Sequence, residues 1–431
     1  MKQLDKNNIK VLWLSSLGGT LEFYDFIIFL FFTSAISYHF FPETLSETWK
    51  TINTYGLFAA AYFARPLGGV VMAHFGDKNG RKNMFMLSIM LMVIPTFLLG
   101  VMPTFETIGY IAPIALLLVR ILQGIAIGGE LPGAWVFVSE HTPKHKRGFA
   151  IGVLTASVAG GILLGSIVAV CVRLAFPAEV VEEWAFRIPF ILGGIFGIIS
   201  AFLRRYLDET PIFRKIKEQN AQHHFPIKEV IARNKSAIVI CMIFTWILTG
   251  AVVVMTLTMP KFVGKHLELS ELVIVLLQML VVFGMSSGCV LVGWFCDKVG
   301  IIKASSAFSL GLSVSCGVLL WLVYEANITN VGLIVSLYFV CGIFIGVTCL
   351  APIITLKLFP SKIAFSGLSF SYNVAYAVFG GTAPIFVSAA ISSAHPFWIA
   401  CYMIFLGLMG LCATLFIYKA RLFDKVYDEH D

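Results

Sequence analysis

The chain has 431 residues, of which 58% are hydrophobic and 13% charged, and its formal net charge is +7. A soluble globular domain has about 45–50% apolar and about 25% charged residues, so this composition excludes a soluble enzyme and a disordered protein. The apolar runs are continuous and reach the ~20 residues that cross a hydrocarbon core, whereas the strands of a membrane β-barrel are short and alternating. The sequence therefore predicts an all-α polytopic membrane protein.

Twelve apolar runs, separated by charged or Gly/Pro-rich breaks, are predicted to form transmembrane helices. They lie near residues 11–37, 51–75, 83–103, 108–139, 149–171, 187–206, 236–260, 271–296, 304–324, 331–356, 364–392 and 396–418. Basic residues in short loops stay on the cytoplasmic side of a membrane. Most Lys and Arg in the loops and at the ends of the runs fall on one face if the N-terminus is inside, and Arg204, at the end of the sixth run, is counted with them. We therefore expect cytoplasmic termini, and we attribute the positive charge to topology and not to nucleic-acid binding.

Two pairs of motifs indicate an internal repeat. GDKNGRK after the second run is echoed by CDKVGIIK after the eighth, and TPKHKRGFAIG after the fourth is echoed by FPSKIAFSGLS after the tenth. The repeat predicts two six-helix halves, residues 1–206 and 236–431, joined by a polar cytoplasmic linker over 207–235. A short cytoplasmic tail is expected after the last span. Halves of the same orientation would place a substrate path between them at mid-membrane and open it by alternating access.

Catalytic and cofactor chemistry are not indicated by the residue pattern. The nine Cys lie within or beside apolar runs and form no CxxC pair, and no His lies at metal-ligand spacing. No nucleophile, base and orienting group form a recognisable set. We therefore expect neither an enzyme nor a cofactor. No small-residue cleavage site follows the polar N-terminus MKQLDKNNIK, so the first run is expected to remain in the mature chain.

Six motifs carry a family resemblance and follow one another on the expected runs. They are GGTLEFYDF, ARPLGG with GDKNGRK, RILQGIAIGGE, FRIPF, LRRYLDETPIF and SYNVAYAVFGGTAPIF. With these motifs the chain resembles the major facilitator superfamily, and within it the metabolite:proton symporters that include proline/betaine, α-ketoglutarate, citrate and shikimate transporters. The resemblance implies the twelve-helix major facilitator fold. It also implies a multi-pass transporter of the bacterial inner membrane that takes up a small molecule together with protons.

Two other functions would fit the same scaffold. Drug-efflux antiporters of the superfamily carry a Gly-Pro signature in the fifth span, whereas this chain has Gly165 followed by Ser166 there. A non-transporting nutrient sensor would need a long cytoplasmic output domain, and both the linker and the tail are short. The sequence therefore favours a proton-driven importer of a small organic acid or zwitterion, which we expect to work as a monomer.

Five charged side chains fall toward the middle of the predicted spans, where each costs about 2.5–3.5 kcal/mol and should face the interior. Glu22 and Asp25 lie three residues apart on one helix face. Two carboxylates so close cannot both ionise cheaply, so we expect them to bind the coupling proton, unless each only neutralises an arginine. Glu130 is expected to be a proton relay or a helix clamp. Three acids against two arginines, Arg65 and Arg120, would leave one net negative charge for a proton to neutralise.

Polar groups at a similar depth form the predicted substrate site. Arg65 can grip a carboxylate through two parallel hydrogen bonds, which a lysine cannot reproduce, and it is the expected anchor. The alternative is that Arg65 is only a structural partner of the carboxylates in the first span. Arg120 and Gln123 face the same centre from the fourth span, and Tyr372 and Asn373 supply polar groups from the eleventh. The tyrosine ring could equally serve packing.

A charged turn follows the second span. Asp77, Arg81 and Lys82, together with two glycines, can bind the second span to the eleventh and to the loop after the fourth. The family resemblance implies that such a turn is a conformational latch, which sets the balance between inward-open and outward-open states without contacting substrate. The predicted latch residues are Asp77, Arg81, Lys82, Glu140, Arg147 and Asp297.

Overall fold

The structure, a computed structural model, describes residues 5–218, 226–326, 328, 330–383, 386 and 397–424. Every regular element within these ranges is a helix. Eleven helical segments of the described chain are long and apolar enough to cross a membrane. The all-α polytopic architecture predicted from composition is thereby confirmed.

Twelve main helices follow one another in the described parts of the chain, in the order of the predicted spans. They are α1 (Lys6–Phe31), α2 (Glu47–Asn79), α3 (Arg81–Val101), α4 (Ile111–His141), α5 (Arg147–Ala175), α6 (Arg187–Arg204), α7 (Lys235–Val252), α8 (Glu271–Val299), α9 (Ile301–Tyr324), α10 (Val331–Ile345), α11 (Ala364–Ala375) and α12 (Trp398–Lys419). The bounds agree with the predicted runs to within about five residues, with two kinds of exception. The first run breaks at Phe32, and α7, α10 and α11 end before their predicted runs do and continue as segments of different pitch. Residues 384–385 and 387–396, which cover the end of the predicted eleventh span and the start of the twelfth, lie outside the described residues.

Three of these helices change pitch near their centres. α7 continues through a π-helical segment, Val253–Thr258, into Met259–His266. α10 continues through a 3-10 turn, Gly346–Cys349, into Leu350–Leu358. α11 passes into a second π-helical segment, Tyr376–Gly380. Because π-helical turns occur frequently at functional sites and a 3-10 turn within a helix often marks a hinge, these segments direct attention to the space that α7, α10 and α11 surround.

Helix packing follows the same pattern in the first six and the last six helices. α1 packs on α5, α2 on α4 and α3 on α6, and the equivalent pairs α7–α11, α8–α10 and α9–α12 also pack together. Contacts between α2 and α11 and between α5 and α8 join the two sets. The second contact requires glycine, since a Cβ on Gly293 of α8 would overlap the carbonyl oxygen of Gly148 on α5. The centre of the molecule thus lies between α1–α6 and α7–α12.

Two short helices lie in the predicted linker. They are Pro211–Glu218 and Pro226–Arg233, and they bury Phe213 and Val230 respectively. Residues 219–225 lie outside the described chain. The linker is therefore partly helical, with apolar side chains that hold its helices against the bundle.

Candidate functional site

Arg65 lies within α2 and is buried, with 3% of its surface exposed. Its Nε donates a 3.4 Å hydrogen bond to Oδ1 of Asn373 on α11, and its guanidinium carbon lies 4.0 Å from the ring centre of Tyr376. Among the described residues its Nη2 has no hydrogen-bond partner. Asn373 is held in turn by the carbonyl oxygens of Gly128 and Ser369, at 2.7 and 2.8 Å. A cation of the first six helices therefore faces the last six with one donor group unused.

Tyrosine rings surround the Arg65 guanidinium. Besides Tyr376, the ring of Tyr372 has its centre 5.7 Å from the guanidinium carbon. Tyr62 on α2 stacks on Tyr376, with ring centres 5.6 Å apart. Tyr372 was predicted from the sequence, but Tyr376 and Tyr62 were missed. The four-residue spacing of the two tyrosines on α11 is the signal that places both rings on one helix face.

A small cavity of about 30 Å³ lies between the two sets of helices and borders the Arg65 site. Its walls come from α1, α4 and α5 on one side and from α7, α8, α10 and α11 on the other. The aromatic lining residues are Phe23, Trp135, Tyr372 and Tyr376. Trp135 packs edge-on to Tyr372, with ring centres 5.1 Å apart, and its indole N–H donates to Oγ1 of Thr155 at 3.2 Å. Within the described chain no Asp, Glu, Lys or Arg lines this cavity.

Glu22 is buried on α1, with 1% of its surface exposed. In the part of the chain that the structure describes, neither of its carboxyl oxygens has a hydrogen-bond partner. Arg65, Glu130 and Arg204 are charged groups in its surroundings. A buried carboxylate without donors is costly because nothing replaces its hydration. Glu22 therefore lacks the fixed hydrogen-bond partner that would hold it permanently ionised.

Asp25, further along α1, has fixed partners. Its Oδ2 accepts a 2.5 Å hydrogen bond from Nε2 of Gln123 on α4. Oε1 of Gln123 accepts from Nη1 of Arg120 at 2.8 Å, and Nε2 also donates to Oγ1 of Thr96 at 3.2 Å. The two predicted proton carriers are thus in different surroundings: Asp25 belongs to a hydrogen-bonded chain with α4, and Glu22 does not.

Glu130 forms a closed ion pair on α4. Its Oε1 accepts a 2.5 Å hydrogen bond from Nη2 of Arg204 on α6, and its Oε2 accepts one from the hydroxyl of Ser88 on α3. Both charged side chains are fully buried. The Arg204 guanidinium also donates to the carbonyl oxygens of Leu14 and Phe85, at 3.4 and 3.3 Å. One ion pair therefore joins four helices of the first set.

The position of Arg204 corrects the sequence-based prediction, which places it among the cytoplasmic loop cations. Arg204 is the last residue of α6 and is fully buried, whereas its neighbour Arg205 is exposed. The count of buried charges changes as a result. The three acids predicted toward the middle of the spans are balanced by three buried arginines, Arg65, Arg120 and Arg204, instead of two. The expected net charge of minus one is therefore wrong, and these buried groups balance when all are ionised.

Asp77 and Arg81 connect α2 to α11 at the predicted cytoplasmic end. Oδ2 of Asp77 accepts a 2.8 Å hydrogen bond from the backbone N–H of Ser366, and Oδ1 accepts from Nη2 of Arg81 at 3.4 Å. Arg81 also forms a salt bridge with Glu140 at the end of α4, and it donates to the carbonyl oxygen of Ser361 at 2.5 Å. The structure thus brings three of the predicted latch residues together with α11.

Asp297 makes an equivalent contact at the end of α8. Its two carboxylate oxygens accept hydrogen bonds from the backbone N–H groups of Gly148 and Phe149 at the start of α5, each at 2.8 Å. This contact crosses between the two sets of helices as the Asp77 contact does. Three of the six predicted latch residues, Asp77, Arg81 and Asp297, therefore contact the other set of helices. A fourth, Glu140, contacts Arg81.

Lys82 and Arg147, the other two predicted latch residues, have different contacts. The backbone N–H of Lys82 lies 3.3 and 3.2 Å from the carboxylate oxygens of Glu209, and its Nζ donates to the carbonyl oxygen of Arg205 at 3.4 Å. Nε of Arg147 donates to the carbonyl oxygen of Thr142 at 3.2 Å. Glu209 was missed in the sequence, although it lies within the motif LRRYLDETPIF. It joins the start of α3 to the segment that follows α6.

Two packed sets of six helices with buried charges between them define a polytopic membrane transporter. Comparison with known families agrees with this class. The chain belongs to the Major Facilitator Superfamily, whose family model matches residues 26–366. The family resemblance read from the motifs is thereby confirmed.

Relatives and solved structures support the same family. The chain is 30% identical to the glycine betaine/proline/ectoine/pipecolic acid transporter OusA of Dickeya dadantii, over 95% of this chain and 83% of the relative. It is also 30% identical to a proline/betaine transporter of Salmonella typhimurium, over 93% of this chain and 82% of the relative. Its fold is similar to that of the proton:xylose symporter XylE bound to 6-bromo-6-deoxy-D-glucose, with a TM-score of 0.79 and 18% identity over 97% and 96% of the two chains. The chain is therefore a small-molecule transporter of the plasma membrane and not an enzyme.

Proposed function

We propose that the chain imports a small zwitterion or organic acid together with protons, by alternating access. In this proposal residues 1–206 and 236–431 are two rocking halves, residues 207–235 join them in the cytoplasm, and both termini are cytoplasmic. The internal repeat and the matching helix pairs support the two halves. The relatives named as proline and betaine transporters support a zwitterionic substrate.

The observation that carries this proposal is the unused Nη2 donor of Arg65, buried between the two sets of helices. A buried polar group without a partner costs about 1–3 kcal/mol, so a ligand that supplies an acceptor there is stabilised. A carboxylate is the acceptor that matches a planar guanidinium. We therefore propose that Arg65 binds the substrate carboxylate. Asn373 and the tyrosine rings orient its guanidinium.

The aromatic cavity favours a zwitterion over a dicarboxylate. The rings of Phe23, Trp135 and Tyr372 line this cavity, which must widen to admit a substrate, and a cation over the face of such a ring gains about 0.5–2 kcal/mol. Among the described lining residues there is no acid to accept from a primary ammonium and no second cation for a second carboxylate. A methylated or secondary ammonium suits this lining because it has few N–H groups to satisfy. Of the two substrate classes that the sequence leaves open, we therefore infer the zwitterion.

Substrate and proton are linked in this proposal through competition for Arg65. In the empty carrier an ionised Glu22 balances the charge of Arg65, a cation in its surroundings. A substrate carboxylate that binds Arg65 takes over this role and leaves Glu22 as an uncompensated carboxylate in a poorly solvated site. Protonation of Glu22 removes that cost, so substrate and proton bind together. Asp25 keeps its hydrogen bond from Gln123 in both states.

The latch contacts support a state that is closed at the cytoplasmic end. Opening that end requires α2 to part from α11 and α5 from α8, so the hydrogen bonds of Asp77 and Asp297 must break. A hydrogen bond to a charged group contributes about 1.5–3 kcal/mol, which is enough to change a two-state population by about tenfold or more. We therefore assign to the latch residues control of the conformational equilibrium and no part in substrate recognition.

A substrate panel in proteoliposomes tests the proposal. Labelled glycine betaine, proline, α-ketoglutarate and citrate are offered under an inward proton gradient, with and without a protonophore. We expect accumulation of glycine betaine or proline that the protonophore abolishes. Accumulation of citrate alone would contradict the substrate class, and uptake that follows sodium and ignores the proton gradient would contradict the coupling. Export driven by inward protons would instead favour the efflux antiporter.

A further inference from the structure

The Glu130–Arg204 ion pair rests directly against α1, close to Glu22. Gly18 precedes Glu22 by four residues, which is about one helical turn, or roughly 5.4 Å along the axis. A Cβ on Gly18 would overlap Nη2 of Arg204 and would lie 2.6 Å from Oε1 of Glu130. The ion pair therefore occupies the space that the missing side chain leaves, on the side of Glu22 toward the predicted cytoplasmic end.

Two arginines can balance an ionised Glu22, and they lie on different helices. Arg65 on α2 faces the substrate cavity, and Arg204 on α6 is paired with Glu130. Both arginines lie close enough to Glu22 for their charges to act on it. Asp25 stays in its hydrogen-bonded chain with α4. Once a substrate carboxylate has bound Arg65, the cation that remains for a deprotonated Glu22 is Arg204.

We propose, resting on the proposed function, that Arg204 is a positioning residue that exchanges Glu130 for Glu22 when the proton leaves Glu22. The O–H bond of Glu22 breaks and an O–H bond forms on a carboxylate oxygen of Glu130. The Arg204 guanidinium moves from Glu130 to the new carboxylate of Glu22. One neutral acid and one ion pair exist before and after the step, so the charge is unchanged. Glu130 then releases the proton toward the cytoplasm.

Two features of the cluster favour this exchange. Each state keeps a single buried ion pair, so neither leaves an isolated charge in a poorly solvated site, where the penalty would be large. The hydroxyl of Ser88 now donates to Glu130, and it can accept from a protonated Glu130 because a hydroxyl both donates and accepts. Proton release is thereby tied to the position of one guanidinium.

Gly18→Ala tests the exchange without removing a charge, because the added methyl group displaces the Arg204 guanidinium from beside Glu130. Gly160→Ala on α5 is the matched control, since a Cβ there meets nothing within 4 Å. Glu130→Gln is a second variant that removes the acid receiving the proton. For each full-length variant in proteoliposomes, labelled glycine betaine and labelled proline report proton-driven accumulation and gradient-free exchange. Tm is measured in detergent.

We expect Gly18→Ala and Glu130→Gln to lower proton-driven accumulation by about tenfold or more relative to exchange measured in the same vesicles. Both variants should also lower Tm relative to Gly160→Ala, because each disturbs a buried ion pair. Accumulation equal to that of the control would overturn the inference. Equal fractional losses of accumulation and exchange would also overturn it, because they would identify a structural clamp. If the unaltered chain accumulates neither probe under a proton gradient, the proposed function fails and the inference fails with it. Normal accumulation by both the unaltered chain and the two variants would overturn the inference alone.

Discussion

The carboxylate of Asp77 on α2 accepts a 2.8 Å hydrogen bond from the backbone N–H of Ser366 on α11. The acid of the second motif copy, Asp297 on α8, accepts hydrogen bonds of the same length from Gly148 and Phe149 on α5. Each acid thus caps the first turn of a helix in the other set, where unpaired backbone donors and the helix dipole favour a negative charge. Two copies of one motif therefore close the same end of the molecule.

Asp77→Asn should shift the protein toward the state that is open at the cytoplasmic end. The neutral amide accepts a weaker hydrogen bond and no longer balances Arg81, so closure should lose about 1.5–3 kcal/mol. Cys296, which is buried beside a cavity of about 440 Å³ at this end, should then react roughly tenfold faster with a maleimide added on the cytoplasmic side. Site-resolved mass spectrometry gives the rate. The exposed Asp208→Asn is the control, and an unchanged rate in Asp77→Asn would show that this contact does not govern opening.

Arg65→Lys should weaken binding of glycine betaine by about ten- to a hundredfold while Tm changes little. A lysine keeps the charge but loses the paired donors that match a carboxylate. Binding to purified protein in detergent and a thermal melt measure the two effects, with the exposed Arg205→Lys as control. If Arg65 were only a structural partner of α1, the lysine variant would bind normally. Unchanged affinity would therefore remove Arg65 from the substrate site.

Glu22→Gln should abolish proton-driven accumulation and retain part of the exchange of substrate for substrate, since exchange does not return an empty, deprotonated carrier. Asp25→Asn should also lose accumulation, with a larger fall in Tm, because the chain through Gln123 and Arg120 loses its charged acceptor. Uptake and counterflow assays on the same proteoliposomes separate these effects. Both carboxylates are structural if both amide variants still accumulate substrate against a gradient.

Trp135→Leu should weaken the binding of glycine betaine by about three- to thirtyfold, because the cavity loses the ring that attracts a cation most strongly. The affinity of propionate, a carboxylate without an ammonium group, measured by competition with a labelled substrate, should change much less. Trp49→Leu is the control, since Trp49 is 58% exposed. Equal weakening of both competitors would mean that Trp135 serves packing and not recognition of the cationic group.

Fold class and helix order could be predicted from the sequence because both depend on local composition. A run of about twenty apolar residues is sufficient to indicate a span, whatever it packs against. Repeated motifs, such as those around Asp77 and Asp297, can also be recognised in the sequence without the structure. The sequence could therefore predict that these two acids join helices. It could not predict their partners, Ser366 and Phe149, because these depend on how the helices pack.

The partners of the buried charges could not be predicted, because they depend on how neighbouring helices are rotated. The spacing of Glu22 and Asp25 places them on one face of α1, but only the packing of α4 gives Gln123 to one of them and not to the other. Arg204 and Arg205 are adjacent letters at the end of an apolar run, and hydropathy does not tell which one turns inward. The structure buries Arg204 against Glu130 and leaves Arg205 exposed.

Proton influx that accompanies substrate uptake is the most direct test of coupling through Glu22. Proteoliposomes that contain a pH-sensitive dye and no imposed gradient are mixed with glycine betaine or proline, and the internal pH is followed. We predict that one of these substrates acidifies the interior of vesicles with the unaltered chain, and that it causes no acidification with Glu22→Gln. Uptake of labelled substrate without any acidification, or acidification that persists in Glu22→Gln, would contradict proton coupling through this carboxylate.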